Sequence, residues 1–261
     1  MKKLLSLSLS LSLVVLLFAG CDLKTGSGDP TNTVTPSVTK EQLLGTWKKT
    51  YNNGSTTNIT QYTFNADGTF IELTDTVSSD TTETHNYSAQ KGTYSVDAER
   101  NVTVTYTDYA NNLQSFSADS VTWTPIEHPN TYTGPALVIG NQLYGDAFLI
   151  AQGSVSSIVG TWAVKGMNKM WNNDTHNYDQ TYYKIEYLFN NDGTVIRNYY
   201  KSYTGIFGLP ESDTGTYTYS NGTLKITING TPSSNKVTIY SNKYLIWGDE
   251  TSATANALIK Q

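Results

Sequence analysis

Three histidines, one cysteine and a scatter of carboxylates are the side chains of this 261-residue sequence with the best claim to chemistry. His85, His128 and His176 stand far apart, with no pair at the i, i+2 or i, i+4 spacing that lets ligands converge on a metal. Each lies in a polar stretch and reads as an exposed loop residue. Asn65-Ala66-Asp67-Gly68 and Asn190-Asn191-Asp192-Gly193 resemble the front of a calcium loop, but the twelfth positions, where such a loop needs glutamate, hold Thr76 and Lys201. A tight hairpin turn explains both better, because Asn, Asp and Gly tolerate positive φ. Neither a Gly-x-Ser-x-Gly elbow nor a phosphate-cradling glycine loop occurs. Asp179, Glu186, Glu211 and Asp213 fall in the second half and could converge as a glycosidase-type pair, though any strand-rich chain offers such pairs. The expectation is a non-enzyme without metal or cofactor.

Aromatic residues carry more information. Tyr178, Tyr182, Tyr183, Tyr187, Tyr199, Tyr200 and Tyr203 crowd one region, with Met167, Met170 and Trp171 close by. In an extended chain Tyr183, Ile185, Tyr187 and Phe189 share one face. One reading is a cavity of aromatic rings with polar tips, able to hold an amphipathic ligand or stack a sugar. Its candidate ligand-binding residues are Trp171, Met167, Met170, Tyr183, Tyr187 and Tyr199. The other reading is ordinary filling of a small barrel by cross-strand pairs. Residues 166–180 read as a long loop whose Met167-Met170-Trp171 patch is a lid or contact surface.

The elements that must position these residues emerge from a repeat. Leu44-Gly45-Thr46-Trp47 recurs as Val159-Gly160-Thr161-Trp162, and Tyr62 to Phe70 as Tyr187 to Val195. Gly92-Thr93-Tyr94 recurs as Gly215-Thr216-Tyr217, and the three offsets are 115, 125 and 123 residues. Each unit is therefore domain-sized, near 39–152 and 154–261, with residues 152–157 as a short joint. Composition rich in Thr and Tyr, punctuated by Asn and Gly, is that of strands and turns. In the second unit strands are expected near 162–167, 181–189, 194–201, 214–219, 223–228, 236–240, 244–248 and 256–260. Eight strands joined by short turns run antiparallel and can close into an up-and-down barrel. A β-sandwich would accommodate the same count. A short helix precedes each Gly-Thr-Trp: Thr39 to Leu44 carries a capping box, with Thr39 as N-cap and Gln42 three residues on. Ser154 to Val159 is its counterpart.

The first 38 residues have a different character. Lys2 and Lys3 precede an apolar run, residues 4–18, that is short for a membrane span. Ala19-Gly20-Cys21 then completes a signal-peptide layout over residues 1–20. Leu17-Phe18-Ala19-Gly20-Cys21 resembles the bacterial lipobox, and the resemblance implies a diacylglycerol thioether on Cys21, an acylated new N-terminus and stable anchoring in a membrane of the cell envelope. Asp22 would favour the inner membrane by the enteric sorting rule. Residues 21–38 form the lipidated cysteine and a flexible tether, of about 23 Å mean span. Without residues 1–20 the chain keeps 15 basic and 22 acidic residues, a net charge of −7. Such a surface offers nothing to nucleic acid or to anionic lipid. With Cys21 as the only cysteine, no intrachain disulfide forms.

A helical turn, a Gly-x-Trp opening the first strand and a closing series of antiparallel strands resemble the lipocalin and lipocalin-like families. Gly45 and Trp47, and Gly160 and Trp162, match that motif. The resemblance implies two tandem eight-stranded barrels, each closed at one end by its tryptophan and open to a small apolar ligand at the other. Thr107-Asp108-Tyr109 matches a further lipocalin pattern in the first unit alone. The arginine that lipocalins carry near the last strand has no counterpart. The leading expectation is an envelope lipoprotein that binds a small hydrophobic or amphipathic ligand, or a partner, chiefly through its second unit. A structural or adhesive surface protein with filled barrels is the rival, and an envelope hydrolase the third reading.

Overall fold

The computed structural model describes residues 38–52, 56–78, 84–119, 121–145, 148–155, 157–248 and 257–261. The expected signal peptide, Cys21 and all of the expected tether except Val38 lie outside these residues. After helix α1 (Lys40–Leu43) the chain forms β1 (Gly45–Asn52), β2 (Thr56–Phe64), β3 (Thr69–Ser78), β4 (Thr84–Val96), β5 (Asn101–Leu113), β6 (Thr124–Pro125), β7 (Thr131–Pro135), β8 (Leu137–Ile139), β9 (Gln142–Tyr144) and β10 (Phe148–Ala151). The second repeat follows as β11 (Gly160–Asn172), β12 (Asn177–Phe189), β13 (Thr194–Ser202), β14 (Glu211–Ser220), β15 (Thr223–Ile228), β16 (Thr231–Tyr240), β17 (Tyr244–Trp247) and β18 (Leu258–Lys260). All eight strands expected in the second repeat form.

Two corrections concern local structure. Residues 166–180 are not a loop: β11 and β12 pair from Gly160↔Phe189 to Asn172↔Asn177, leaving only the tip of a long hairpin. The described residues between Ser154 and Val159 form no helix. By contrast, Thr39 caps α1 as the sequence implies, with Oγ1 accepting from Gln42 N and Gln42 Oε1 accepting from Thr39 N.

The repeated motifs build the closed ends. Trp47 and Trp162 are both 0% exposed. Each donates its indole N–H four residues back, Trp47 to Leu43 O at 2.7 Å and Trp162 to Ile158 O at 2.8 Å. At the Asn-x-Asp-Gly-Thr turns, Asp67 accepts from the Thr69 amide and hydroxyl, and Asp192 from those of Thr194. These bonds hold both carboxyls below the ordinary aspartate range. The carboxylates thus serve the turn, where Gly68 and Gly193 adopt φ of +89° and +83°. Tyr94 and Tyr217 lock the turn from the next strand by donating to Asn65 O and Asn190 O, each at 2.8 Å. Their neighbours Gly92 and Gly215 let two strands touch: a Cβ there would sit 1.8 Å from Thr105 O and 2.0 Å from Thr227 O.

The sheet closes into rings, but not repeat by repeat. β10 to β17 form an eight-stranded antiparallel barrel, with β10 paired to both β11 and β17. In the first repeat, β1 to β5 and β7 are successive neighbours. β7 continues through Ala136 into β8, which pairs with β9. The strand between β9 and β1 is β18, from the end of the second repeat. The two repeats have exchanged their closing strands. Leu149-Ile150-Ala151-Gln152 and Leu258-Ile259-Lys260-Gln261 play equivalent parts: Gln152 N donates to Thr161 O, and Gln261 N to the matching Thr46 O. Lys260 lies over the Trp47 ring, its Nζ 5.2 Å from the centroid, where the lipocalin resemblance would place an arginine.

Three apolar clusters result. One fills the first ring around Trp47, Phe64, Phe70 and Tyr94 and includes Val38, at the end of the expected tether. A second fills the other ring around Trp162, Phe189, Val195 and Leu224. The third lies on the strands that carry the exchange and joins Leu137, Ile139, Tyr144, Phe148, Tyr244 and Ile246. β7 also pairs with the far half of β11, so the sheet runs unbroken from the first ring into the second.

Candidate ligand cavities

Strand alternation decides what each ring encloses. In β2 and β3 the residues Tyr62, Phe64, Phe70 and Glu72 share the inner face, and in β5 the inner residues are Val102, Val104 and Tyr106. Above the cluster at Trp47 lies a cavity of about 490 Å³. Its wall is apolar: Leu43, Phe64, Val102, Val104, Leu143 and Leu258 all line it. Leu258 is the contribution of the exchanged strand. The cavity takes Asn168 and Tyr183 from the second repeat, through the β7–β11 junction. Lys49, Asn168 and the tyrosines Tyr62, Tyr132 and Tyr183 supply polar atoms on an otherwise apolar surface. That volume, with that lining, suits a small ligand with one polar end.

Beside it Glu72 is held by two phenols, accepting from Tyr62 at 3.1 Å and Tyr106 at 2.8 Å. Burial pushes the Glu72 carboxyl above its ordinary range, outweighing the two hydrogen bonds that favour its ionised form. Burial and the neighbouring carboxylate likewise push the Tyr106 hydroxyl strongly up. The inner wall thus carries a hydrogen-bonded cluster of two phenols and a carboxyl.

The mouth of the second ring is built differently. Tyr187 occupies the place of Tyr62, and its cross-strand partner is Arg197 where Tyr62 faces Glu72. Arg197 Nε donates to Asp213 Oδ2 at 3.1 Å, and its Nη2 donates to the same oxygen. Asp213 Oδ1 accepts from Asn229 Nδ2 at 2.6 Å. Arg197 and Asn229 hold the Asp213 carboxyl below its usual range. Two hollows adjoin at this point, of about 360 and 400 Å³, and both are lined by Tyr187 and Arg197.

The six aromatic and methionine candidates do not share one cavity. Tyr183 lines the first-ring cavity, while Tyr187 and Tyr199 line the mouth of the second ring. Met167 borders a separate hollow of about 260 Å³ with Tyr182 and Phe207. Met170 is 44% exposed. Trp171 stacks flat on His128, the ring centroids 3.6 Å apart, with Tyr178 edge-on to it. Neither Trp171 nor Met170 lines a described cavity.

The other chemical candidates disperse. His85 lies on β4 rather than in a loop, its Nδ1 2.8 Å from Asp75 Oδ2. Asp179 binds the Asn172 amide. Glu186 turns outward: burial pushes it up, but Lys184, Asn198 and Tyr200 hold it below its ordinary range. Glu211 and Asp213 border one hollow, and Asp213 is committed to Arg197. Among the described residues, no three His, Cys, Asp or Glu side chains gather as a metal site would require.

Sequence reasoning missed Tyr62, Glu72, Tyr106 and Arg197. One signal was present: an offset of 125 residues, which maps Tyr62 onto Tyr187, also maps Glu72 onto Arg197, one of only two arginines in the chain. Neither the curated proteins nor the solved structures contain a match to this chain. Residues 158–247 match the family model described as a lipocalin-like domain. The match spans β11 to β17, seven of the eight strands of the second ring, and stops before β18. Over these residues the chain is lipocalin-like in sequence as well as in fold.

Proposed function

We propose that this is an envelope lipoprotein of two lipocalin-like units, anchored through acylated Cys21, that binds a small, mainly apolar ligand inside its first ring. The observation that carries the reading is the cavity of about 490 Å³ lined by Leu43, Phe64, Val102, Val104, Leu143 and Leu258. The second unit, with its aromatic residues, attracted attention in the sequence, but above its cluster around Trp162 and Phe189 it offers only smaller hollows, of about 360 and 400 Å³, that carry a charge pair. In the first ring the polar end of an amphipath would lie toward Lys49 and Asn168, with its chain toward Phe64 and Leu43.

Gly134 provides the test. It lines the cavity, and a Cβ there would meet nothing within 4 Å. Gly134→Phe therefore plugs the cavity without straining the backbone. Displacement of a naphthalene sulfonate dye by decanol and by decanoate, read by fluorescence, measures occupancy. Binding to the parent and its loss in Gly134→Phe, at unchanged melting temperature, is the expected result. Equal binding by both proteins, or by neither, refutes the cavity. For the anchor, Cys21→Ser should move the protein from the membrane to the soluble fraction of its host.

A further inference from the structure

The inner wall of the second ring carries chemistry that an apolar ligand would not use. We infer that its mouth is a separate binding site for a neutral, hydroxyl-rich ligand of the saccharide class, read by Arg197, Asp213 and Asn229 and stacked by the surrounding aromatic rings. This site is distinct from the first-ring cavity, and its test does not depend on that reading.

The argument starts from the register. Tyr62↔Glu72 in one ring and Tyr187↔Arg197 in the other are equivalent pairs, yet their chemistry is opposite. In the first ring Tyr106, opposite Gly92, reaches back to Glu72 and seals the polar group against the wall. Opposite the matching Gly215 stands Ile228, which has no hydroxyl to give. Arg197 instead meets Asp213 across the strand, and Asp213 meets Asn229. The result is an acceptor–donor row fixed at both ends. Asp213 takes the Nε–H and an Nη2–H of Arg197 and Tyr187 engages the guanidinium as well, which of five N–H donors still leaves donors for a ligand.

The setting selects the ligand. Tyr187 and Trp247 meet at 5.6 Å with their planes 36° apart, and both line the hollow of about 360 Å³. Tyr199, 39% exposed, lines the neighbouring hollow of about 400 Å³. Ser212 and Glu211 border the second hollow, and Thr231 and Ser233 the first. An alkyl chain laid here would strip water from a charge pair and gain little in return. An anion meets a guanidinium already neutralised by Asp213, and a cation meets Arg197. Vicinal hydroxyls, which both donate and accept, match a fixed Arg–Asp–Asn row, and the apolar face of a sugar ring matches exposed Tyr199 and the partly buried Tyr187 and Trp247.

Saturation-transfer NMR on residues 22–261, freed of the proposed anchor, tests this, using maltose, cellobiose, lactose and N,N′-diacetylchitobiose, with decanoate as the anionic probe. The expected result is saturable binding of at least one disaccharide in about the millimolar range. Arg197→Gln and Asp213→Asn should each weaken it about tenfold or more. Tyr199→Ala, at an exposed position that the fold does not need, should weaken it too while leaving the melting temperature unchanged. The inference is overturned if no disaccharide binds. It is equally overturned if binding survives all three substitutions, or if decanoate alone binds and Arg197→Gln abolishes that binding.

Discussion

Removing the last four residues, Leu258–Gln261, should open the ring at the opposite end of the sequence. β18 closes the first ring between β1 and β9, through Trp47↔Lys260 and Leu258↔Leu143. Leu258 and Ile259 are each partly buried, and at about half the value of a fully buried aliphatic side chain they contribute roughly 2–3 kcal/mol together. Lys260 over Trp47 adds about 0.5–1 kcal/mol. The amides of Lys260 and Gln261, bonded to Asn141 O and Thr46 O, add about 1–2 kcal/mol net. The loss of roughly 4–6 kcal/mol is a large part of what holds a domain of this size. It falls on β1 and β9, while the β10–β17 ring keeps all its strands. Native-state hydrogen exchange should therefore show about a thousandfold faster exchange at Trp47, Lys48 and Leu143, with residues 160–247 almost as protected as before. Dye binding in the first-ring cavity should disappear with it. Faster exchange centred on residues 160–247, or protection of β1 unchanged, would refute the exchanged-strand arrangement.

The reciprocal experiment is Leu149→Ala, which sits in the first repeat but is packed in the second ring's cluster. It should cost about 2–4 kcal/mol, and hydrogen exchange should place the loss in residues 160–247. Gly92→Ala and Gly215→Ala each drive a Cβ into a backbone carbonyl of the neighbouring strand. Each should cost at least about 2 kcal/mol in chemical denaturation, whereas Gly134→Ala, with open space at its Cβ, should cost less than about 1 kcal/mol. Glu72→Gln tests the buried carboxyl by pH. Because its folded pKa is raised, the native state holds a proton that the unfolded state gives up, so Glu72 lowers stability as pH climbs from the ordinary glutamate range through the raised folded value. The gain from Glu72→Gln should be small at pH 4, grow with rising pH and then level off. A gain that shrinks with rising pH would contradict the burial.

What the sequence made legible is the closed end of each ring. Trp47 and Trp162 bond to Leu43 and Ile158 of their own repeats, and the tyrosine of each Gly-Thr-Tyr bonds to the Asn-x-Asp-Gly-Thr turn of the same repeat. Their roles follow from local rules: a turn needs positive φ, a close strand crossing forbids a side chain, and a buried indole needs an acceptor. The open ends were not legible, because there the two repeats differ. Counting tyrosines pointed to the second repeat, but a tyrosine's effect depends on what faces it. Tyr62, which holds Glu72 together with Tyr106, lines an apolar cavity, whereas Tyr187, paired with Arg197, lines a hollow with a fixed charge pair. The patch at Met167, Met170 and Trp171 looked like a loop because its residues are polar in between. Pairing along the whole of β11 and β12 overrode that local composition.

The exchange of closing strands was illegible for a deeper reason. Leu-Ile-Ala-Gln and Leu-Ile-Lys-Gln offer the same pattern of apolar side chains and the same backbone donors, so either segment satisfies either ring. Local preference is then nearly neutral, and chain connection decides. β10 is followed after a short joint by β11, and the two pair as antiparallel neighbours, Ile150↔Ala163 and Ala151↔Trp162. Closing its own ring would instead have folded β10 back beside β9, into the slot that β18 fills. With β10 committed to the second ring, the slot between β9 and β1 is left for β18. Lys260 finds an aromatic face over Trp47, and the matching position opposite Trp162 is held by Ala151. Exchange also gives the rings a shared cluster, Phe148 and Tyr244 among it, that two self-closed barrels would have no reason to build. Duplication alone yields two similar barrels; exchanged closing strands tie the stability of each to residues of the other repeat, so that neither repeat, cut at its own sequence boundary, contains a complete ring.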